Sequence, residues 1–123
     1  MANPNIVNVT DIYGNISNTV LTGSAQSVIN NAAASGKVYK VNSIVAANTD
    51  GTSAVDVTVN VYSQDDIGGT AFAIASTISV PADAALIVTD KTTGFYLKED
   101  QSVGALCSAS GNIVLTCSWE EIN

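Results

Sequence analysis

The 123-residue chain contains no histidine and no arginine, and its only basic side chains are four lysines. Histidine is the usual proton-transfer group near neutral pH, and arginine is the side chain best suited to gripping phosphate. Eleven aspartates and glutamates give a formal net charge of −7, which opposes binding to nucleic acid or to an anionic membrane surface. We therefore expect neither kind of partner.

Long apolar runs are missing as well. No stretch approaches the ~18 consecutive apolar residues that a membrane-spanning helix needs. The opening residues Met-Ala-Asn-Pro-Asn lack the basic and apolar regions of a secretory signal. We therefore expect the chain to be made and used without export.

Every kind of catalytic or metal site lacks a part in this sequence. A serine or cysteine nucleophile needs a base such as histidine, and two thiols alone are too few ligands for a metal ion. Carboxylates occur as the adjacent pairs Asp65-Asp66, Glu99-Asp100 and Glu120-Glu121, and neighbours in a strand point to opposite faces. We therefore expect no enzyme activity, catalytic residue, cofactor or metal, with a weak calcium or glycan site left open.

What the chain has in abundance is β-branched residues: 15 valines, 11 isoleucines and 12 threonines, against 5 leucines. These residues favour pleated strands over helices. Alternating patterns predict short strands such as Val55–Tyr62, Ala71–Val80, Ala85–Thr89 and Phe95–Leu97, with a turn signal every 8 to 12 residues. The sequence therefore predicts one all-β domain over residues 1–123, an antiparallel β-sandwich of the jelly-roll or immunoglobulin-like kind.

The segment that begins at Lys37 has apolar residues on both faces. Strict alternation places Ile44 and Ala46 on the face opposite Tyr39 and Val41. This pattern is typical of a central strand, or of a strand that faces a partner.

Two cysteines lie in the last alternating segments, at positions 107 and 117. If these segments form a hairpin with Ser110–Asn112 as its loop, Cys107 lies opposite Leu115, and the two cysteines are diagonal neighbours about 7–8 Å apart. That distance exceeds disulfide reach, so we expect two buried thiols, with a bridge as the alternative if the loop is longer or the register is shifted. Trp119 shares their face and is expected in the core or a subunit interface, with a ligand platform as the alternative.

Five segments resemble small virion structural proteins of tailed bacteriophages, particularly phages of marine cyanobacteria: Met1–Thr10, Gly36–Ser43, Val80–Ala82, Tyr96–Asp100 and Cys117–Ile122. The resemblance implies a homotrimeric capsid decoration or cement protein that binds neighbouring subunits of the major capsid protein. Its location would be the virion, after assembly in the host cytoplasm. A neck, tail or fibre-associated virion protein and a carbohydrate-binding adhesion module are the alternatives.

Residues 1–13 form a candidate docking arm for such a role. Charged residues make up only 12% of the chain and its mean hydropathy is +0.28, which favours burial of surface in an assembly. An extended segment can dock by adding a strand to a neighbour's sheet edge. The alternative is an ordinary first strand of the protein's own sandwich. The candidate interface residues are Pro4, Ile6, Val7, Val9, Ile12 and Tyr13.

Overall fold

The structure, a computed structural model, describes residues 6–123. Within these residues no helix is long and apolar enough to cross a membrane. The regular elements are β-strands: β1 (Ile12–Val20), β2 (Gln26–Asn31), β3 (Val38–Asn48), β4 (Val55–Gln64), β5 (Gly68–Val80), β6 (Ala85–Thr89), β7 (Phe95–Leu97), β8 (Gln101–Cys107) and β9 (Ile113–Ile122).

The strands form two antiparallel sheets. The first sheet has the order β1-β9-β3-β6, and β7 also pairs with β3, so that β6 and β7 share one edge position. The second sheet has the order β2-β8-β4-β5. The predicted β-sandwich is confirmed, and its strand order is that of a jelly roll, in which most connections cross from one sheet to the other.

The core lies between the inward faces of the two sheets. In β4 the buried side chains include Val55, Val57 and Val59, as their alternation with polar residues predicts. Tyr62, which the regular β4–β8 register puts on the other face, is buried as well. The largest fully buried side chains come from both sheets and from the loop after β1, and they are Leu21, Ile29, Ile44, Leu97, Ile113 and Leu115.

β3 is a central strand, as predicted, but the assignment of its two faces is wrong. Its pairing with β9 shifts register between Val41 and Ser43, which leaves Asn42 as an extra residue in β3. This β-bulge reverses the alternation, so that Tyr39 and Val41 before it face the core together with the apolar residues after it.

The predicted hairpin of the last two strands is wrong. β8 pairs with β2 and β4 in the second sheet, whereas β9 pairs with β1 and β3 in the first. The loop between them crosses the sandwich, and it is held by backbone hydrogen bonds from Gly111 N–H to Leu21 O (2.9 Å) and from Leu21 N–H to Ile113 O (2.8 Å). The odd-numbered apolar residues of both strands face one core from opposite sheets. The sequence therefore shows the same alternation that it would show if the two strands were paired in one sheet.

Both thiols are free and buried, Cys107 in the second sheet and Cys117 in the first. Burial raises the pKa of Cys117 to about 11, because the thiolate would lose its hydration in the core. Burial also raises the pKa of Cys107. The Cys107 thiol donates a hydrogen bond to the carbonyl of Ala109 at 3.1 Å. These thiols are therefore neutral and poorly reactive at physiological pH.

Replacing Cys117 with alanine should flatten the alkaline loss of stability. An unfolded thiol titrates near pH 9 and the folded one near 11, so the buried neutral thiol stabilises the fold below pH 9, and that stabilisation is lost as the pH rises through 11. By pH 10 the wild type should have lost about 1 kcal/mol more than Cys117→Ala. Urea unfolding at pH 7.5 and 10 measures this difference, and equal losses in the two proteins would contradict it.

Candidate assembly surface

The apolar residues upstream of β1 lie at the surface where the structure describes them. Pro4 lies outside the described residues, whereas Ile6 and Val7 lie in a turn and Val9 in irregular chain. Ile6 and Val7 are exposed, Val7 to 84%, and Val9 is half-buried. Regular strand pairing begins only at Ile12. The docking role of these residues stays a prediction.

Ile12 and Tyr13, by contrast, belong to the protein's own sheet. They lie opposite the last two residues of β9. Immediately before them, the N–H groups of Thr10 and Asp11 donate to the carbonyl of Asn123 at 2.7 and 3.3 Å. The two residues thus follow the first-strand alternative, and an arm that reaches a neighbour must end before Thr10.

β1 carries a row of exposed apolar side chains along one edge of the sandwich. Ile12, Ile16 and Val20 are all more than half exposed, Ile16 to 65%, on the outer face of the first sheet. Within residues 6–123, the strand partner of β1 is β9, so its other long edge is open. Open strand edges and contiguous apolar patches both mark sites where another chain can pair or pack.

β5 is a second edge strand, on the opposite side of the sandwich. Within the described chain it pairs with β4, and it is exposed along nearly all of its length. Its large exposed apolar side chains are Phe72, Ile74 and Ile78, with Phe72 at 60%. Sequence reasoning missed this surface. Apolar and polar residues alternate in the same way in a strand that is buried on one face and in an edge strand that is exposed on both.

Irregular pairing distinguishes β5 from β1. The register between β4 and β5 shifts at three places, and Thr77 has a φ of +46°, in the left-handed region. The N–H of Thr77 donates to the side chain of Thr58 at 3.0 Å instead of joining the regular ladder. Bulges of this kind twist an edge and limit uncontrolled strand pairing.

A polar cluster lies where β1 begins and β9 ends. The Lys37 ammonium is 3.0 Å from the Glu121 carboxylate, which also accepts a hydrogen bond from the Asn15 side-chain amide. The hydrogen bond to Glu121 raises the pKa of Lys37, and burial raises the pKa of Tyr39. Both side chains therefore keep their protons at neutral pH, so neither can act as a general base there.

Trp119 stacks on Tyr39, with ring centroids 6.2 Å apart and planes inclined by 22°. It is packed against the core, and its indole Nε1–H is buried without an acceptor among the described residues. Trp119 thus belongs to the packed interior side of the first sheet, as expected, and not to a flat exposed platform.

The acidic side chains mainly organise loops. Asp50 and Asp90 each accept hydrogen bonds from the backbone and hydroxyl of the threonine two residues later, Thr52 and Thr92, and these bonds lower the pKa of both carboxyls. Across residues 6–123, histidine, cysteine, aspartate and glutamate side chains form no group of three or more that could hold a metal ion.

No protein-family model and no curated protein sequence matches this chain. Among solved structures, it is similar to a chain of Bacillus endospore appendages, which form disulfide-linked pili: the TM-score is 0.55 at 18% identity, over 92% of this chain and 87% of that one. A chain of the infectious bursal disease virus particle overlays with a TM-score of 0.46 at 8% identity, over 91% of this chain and 30% of that one.

A third similar structure is the VP2 subviral particle of infectious bursal disease virus, with a TM-score of 0.39 at 6% identity, over 93% of this chain and 33% of that one. The structural neighbours are thus a pilus protein and viral particle proteins, and the phage family that the sequence resembles is not shown by them. Of the three overlays, the one with the pilus chain supports the fold: a two-sheet β-sandwich over nearly the whole length of both chains.

Proposed function

We propose that this protein is a non-enzymatic structural subunit that packs against its neighbours through the edge strands β1 and β5. The observation that carries the proposal is the pair of exposed apolar rows on opposite sides of one sandwich. An open edge offers backbone hydrogen bonds to a neighbouring strand, and an apolar row gains stability when a partner covers it.

We propose that the neighbours belong to a phage head and that this protein is a capsid decoration protein. A contact from β1 of one copy to β5 of the next is heterologous, and it closes into a ring when the rotation between copies allows, at three copies for a homotrimer. The segment upstream of Thr10, with the exposed Ile6 and Val7, would then contact the major capsid protein. The resemblance to phage virion proteins and the exposed apolar surface support this role.

A pilus subunit is the second candidate, and the overlay with the spore appendage chain favours it. The same heterologous contact gives an open filament when the rotation does not close. Links between copies would then be noncovalent, because Cys107 and Cys117 are both buried. A neck, tail or fibre-associated role would use the same surfaces in few copies per particle.

Ile16→Lys should abolish self-association without unfolding the sandwich. The side chain is 65% exposed at the centre of the β1 row, so a lysine there is harmless in the free subunit but costly when a neighbour covers it. The matched control is Ile87→Lys, since Ile87 is 63% exposed on β6, a strand that takes no part in the proposed contact. Light scattering coupled to gel filtration should show an oligomer for the wild type and the control, and a monomer for Ile16→Lys.

A monomeric wild type at every concentration, or an unchanged oligomer in Ile16→Lys, would contradict assembly through β1. Electron microscopy of the wild-type oligomer separates the two candidates, because rings support the decoration role and filaments support the pilus role.

Intact particles should contain this protein at a copy number comparable to that of the major capsid protein. A decoration protein occupies sites that repeat over the whole capsid lattice, whereas a neck or tail protein occupies a single location and is present in few copies per particle. Quantitative mass spectrometry of gradient-purified particles from the source measures the ratio. A handful of copies would move the protein to the neck or tail, and its absence from particles would contradict a virion role.

Deleting residues 1–9 should lower capsid occupancy while leaving the fold intact. The β1–β9 backbone hydrogen bonds begin at Thr10, so the deletion removes no ladder contact of β1. The control replaces residues 1–9 with a glycine and serine chain of equal length, which keeps the length and removes the apolar side chains. Occupancy on capsids that lack the protein, measured by sedimentation, should fall in both variants, and unchanged occupancy would disprove the docking arm.

A further inference from the structure

A cleft of about 320 Å³ opens on the outer face of the first sheet, where β7, β3 and β9 lie side by side. It faces away from the core and belongs to neither apolar row. Its lining residues are Lys40, Asn42, Lys91, Gly94, Phe95, Tyr96 and Glu120.

Two irregularities of the first sheet build this cleft. One is the bulge at Asn42 in β3, and the other is the loop 90–94, which separates β6 from β7 at the same level of the sheet. Gly94 lets the loop lie directly on β3, since a Cβ at this position would be 2.8 Å from the carbonyl oxygen of Val41. Asp90 fixes the start of the loop by accepting hydrogen bonds from Thr92.

The cleft has a net positive charge, whereas the chain as a whole is negative. Two of the four lysines, Lys40 and Lys91, line it together with a single carboxylate, Glu120, in a chain of net charge −7. In residues 6–123 neither lysine forms an ion pair, whereas Lys37 does. Glu120 accepts a hydrogen bond from the Asn42 amide at 3.4 Å. The cleft therefore offers an anion two ammonium groups that form no ion pair with residues 6–123.

The remaining side chains suit a polyhydroxylated ring. Tyr96 is 49% exposed, lies opposite Lys40 in the β3–β7 ladder and lines the cleft. On the β9 side of β3, Glu120 lies opposite Lys40, and its carboxylate oxygens can accept hydrogen bonds from hydroxyl groups. The side-chain amide of Asn42 has both a donor and an acceptor. The volume falls at the small end of small-molecule sites.

We propose that this cleft binds a monosaccharide unit that carries a carboxylate. Lys40 and Lys91 pair with the carboxylate, Glu120 and Asn42 hydrogen-bond ring hydroxyls, and Tyr96 packs against the apolar face of the ring. A run of acidic residues from a protein partner fits less well, because it would bring several negative charges close to Glu120. The site is separate from assembly through β1 and β5, so its test does not depend on the proposed function.

The test is a titration of the full chain followed by ¹H–¹⁵N NMR. The probes are glucuronate, galacturonate and N-acetylneuraminate, with glucose, galactose and N-acetylglutamate as comparisons. At least one acidic sugar should give saturable shifts confined to β3, β7, the end of β9 and the loop 90–94. The neutral sugars, which lack the carboxylate, should bind at least roughly tenfold more weakly.

Variants assign the roles of the side chains. Lys40→Gln, Lys91→Gln and Tyr96→Ala should each weaken the acidic sugar roughly tenfold, because each removes a direct contact. Lys98→Gln is the matched control, since Lys98 is an exposed lysine outside the cleft, and it should bind as the wild type does. All four positions are at the surface, and the NMR spectrum of each variant reports its folding.

Three outcomes would overturn the proposal. The first is the absence of saturable shifts with every acidic sugar. The second is equal weakening by Lys98→Gln, which would show a general charge effect. The third is N-acetylglutamate binding as tightly as the best sugar, which would assign the cleft to the carboxylate of a protein partner.

Discussion

The β-bulge at Asn42 in β3 is the constraint on which both faces of the first sheet depend. Without the extra residue, strict alternation would send Ile44 and Ala46 outward whenever Tyr39 and Val41 face inward. With it, both halves of the longest strand of this sheet bury their apolar residues in one core. The same irregularity lies in the outer face beside the loop 90–94, so the bulge shapes both the core and the cleft.

Buried polar side chains hold the loops of this protein in place through hydrogen bonds to the backbone. Asn48, almost fully buried, donates to the carbonyls of Ser53 and Val80 at 2.9 and 3.0 Å. Ser102 accepts from the N–H of Ile67 and donates to the carbonyl of Gln64. Each group satisfies backbone atoms that the core would otherwise leave unpaired. A chain with only 12% charged residues can therefore close both ends of its sandwich.

Local pattern predicts the strands of this chain better than their partners. Val57 and Val59 reveal the inward face of β4, because alternation depends only on neighbouring residues. The alternating apolar residues around Cys107 and Leu115 predict a hairpin, yet β8 and β9 lie in different sheets. The pattern cannot tell these arrangements apart, because apolar side chains are buried equally well on two opposed sheets and on two paired strands. For the assembly surface, the pattern around Ile12 shows an apolar strand, but only the topology shows that β1 is an edge.

β1 and β5, the two strands of the proposed contact, differ in the regularity of their edges. The β1–β9 register runs without a shift from Ile12 to Val20, so the open side of β1 is a regular row of backbone donors and acceptors. β5 is bent by its register shifts, which makes it a poor template for an added strand, but it displays Phe72 and Ile74 as apolar anchors. A contact from β1 of one copy to β5 of the next would therefore depend mainly on packing of their apolar side chains, and as a head-to-tail contact it would form rings or filaments but not a two-fold dimer.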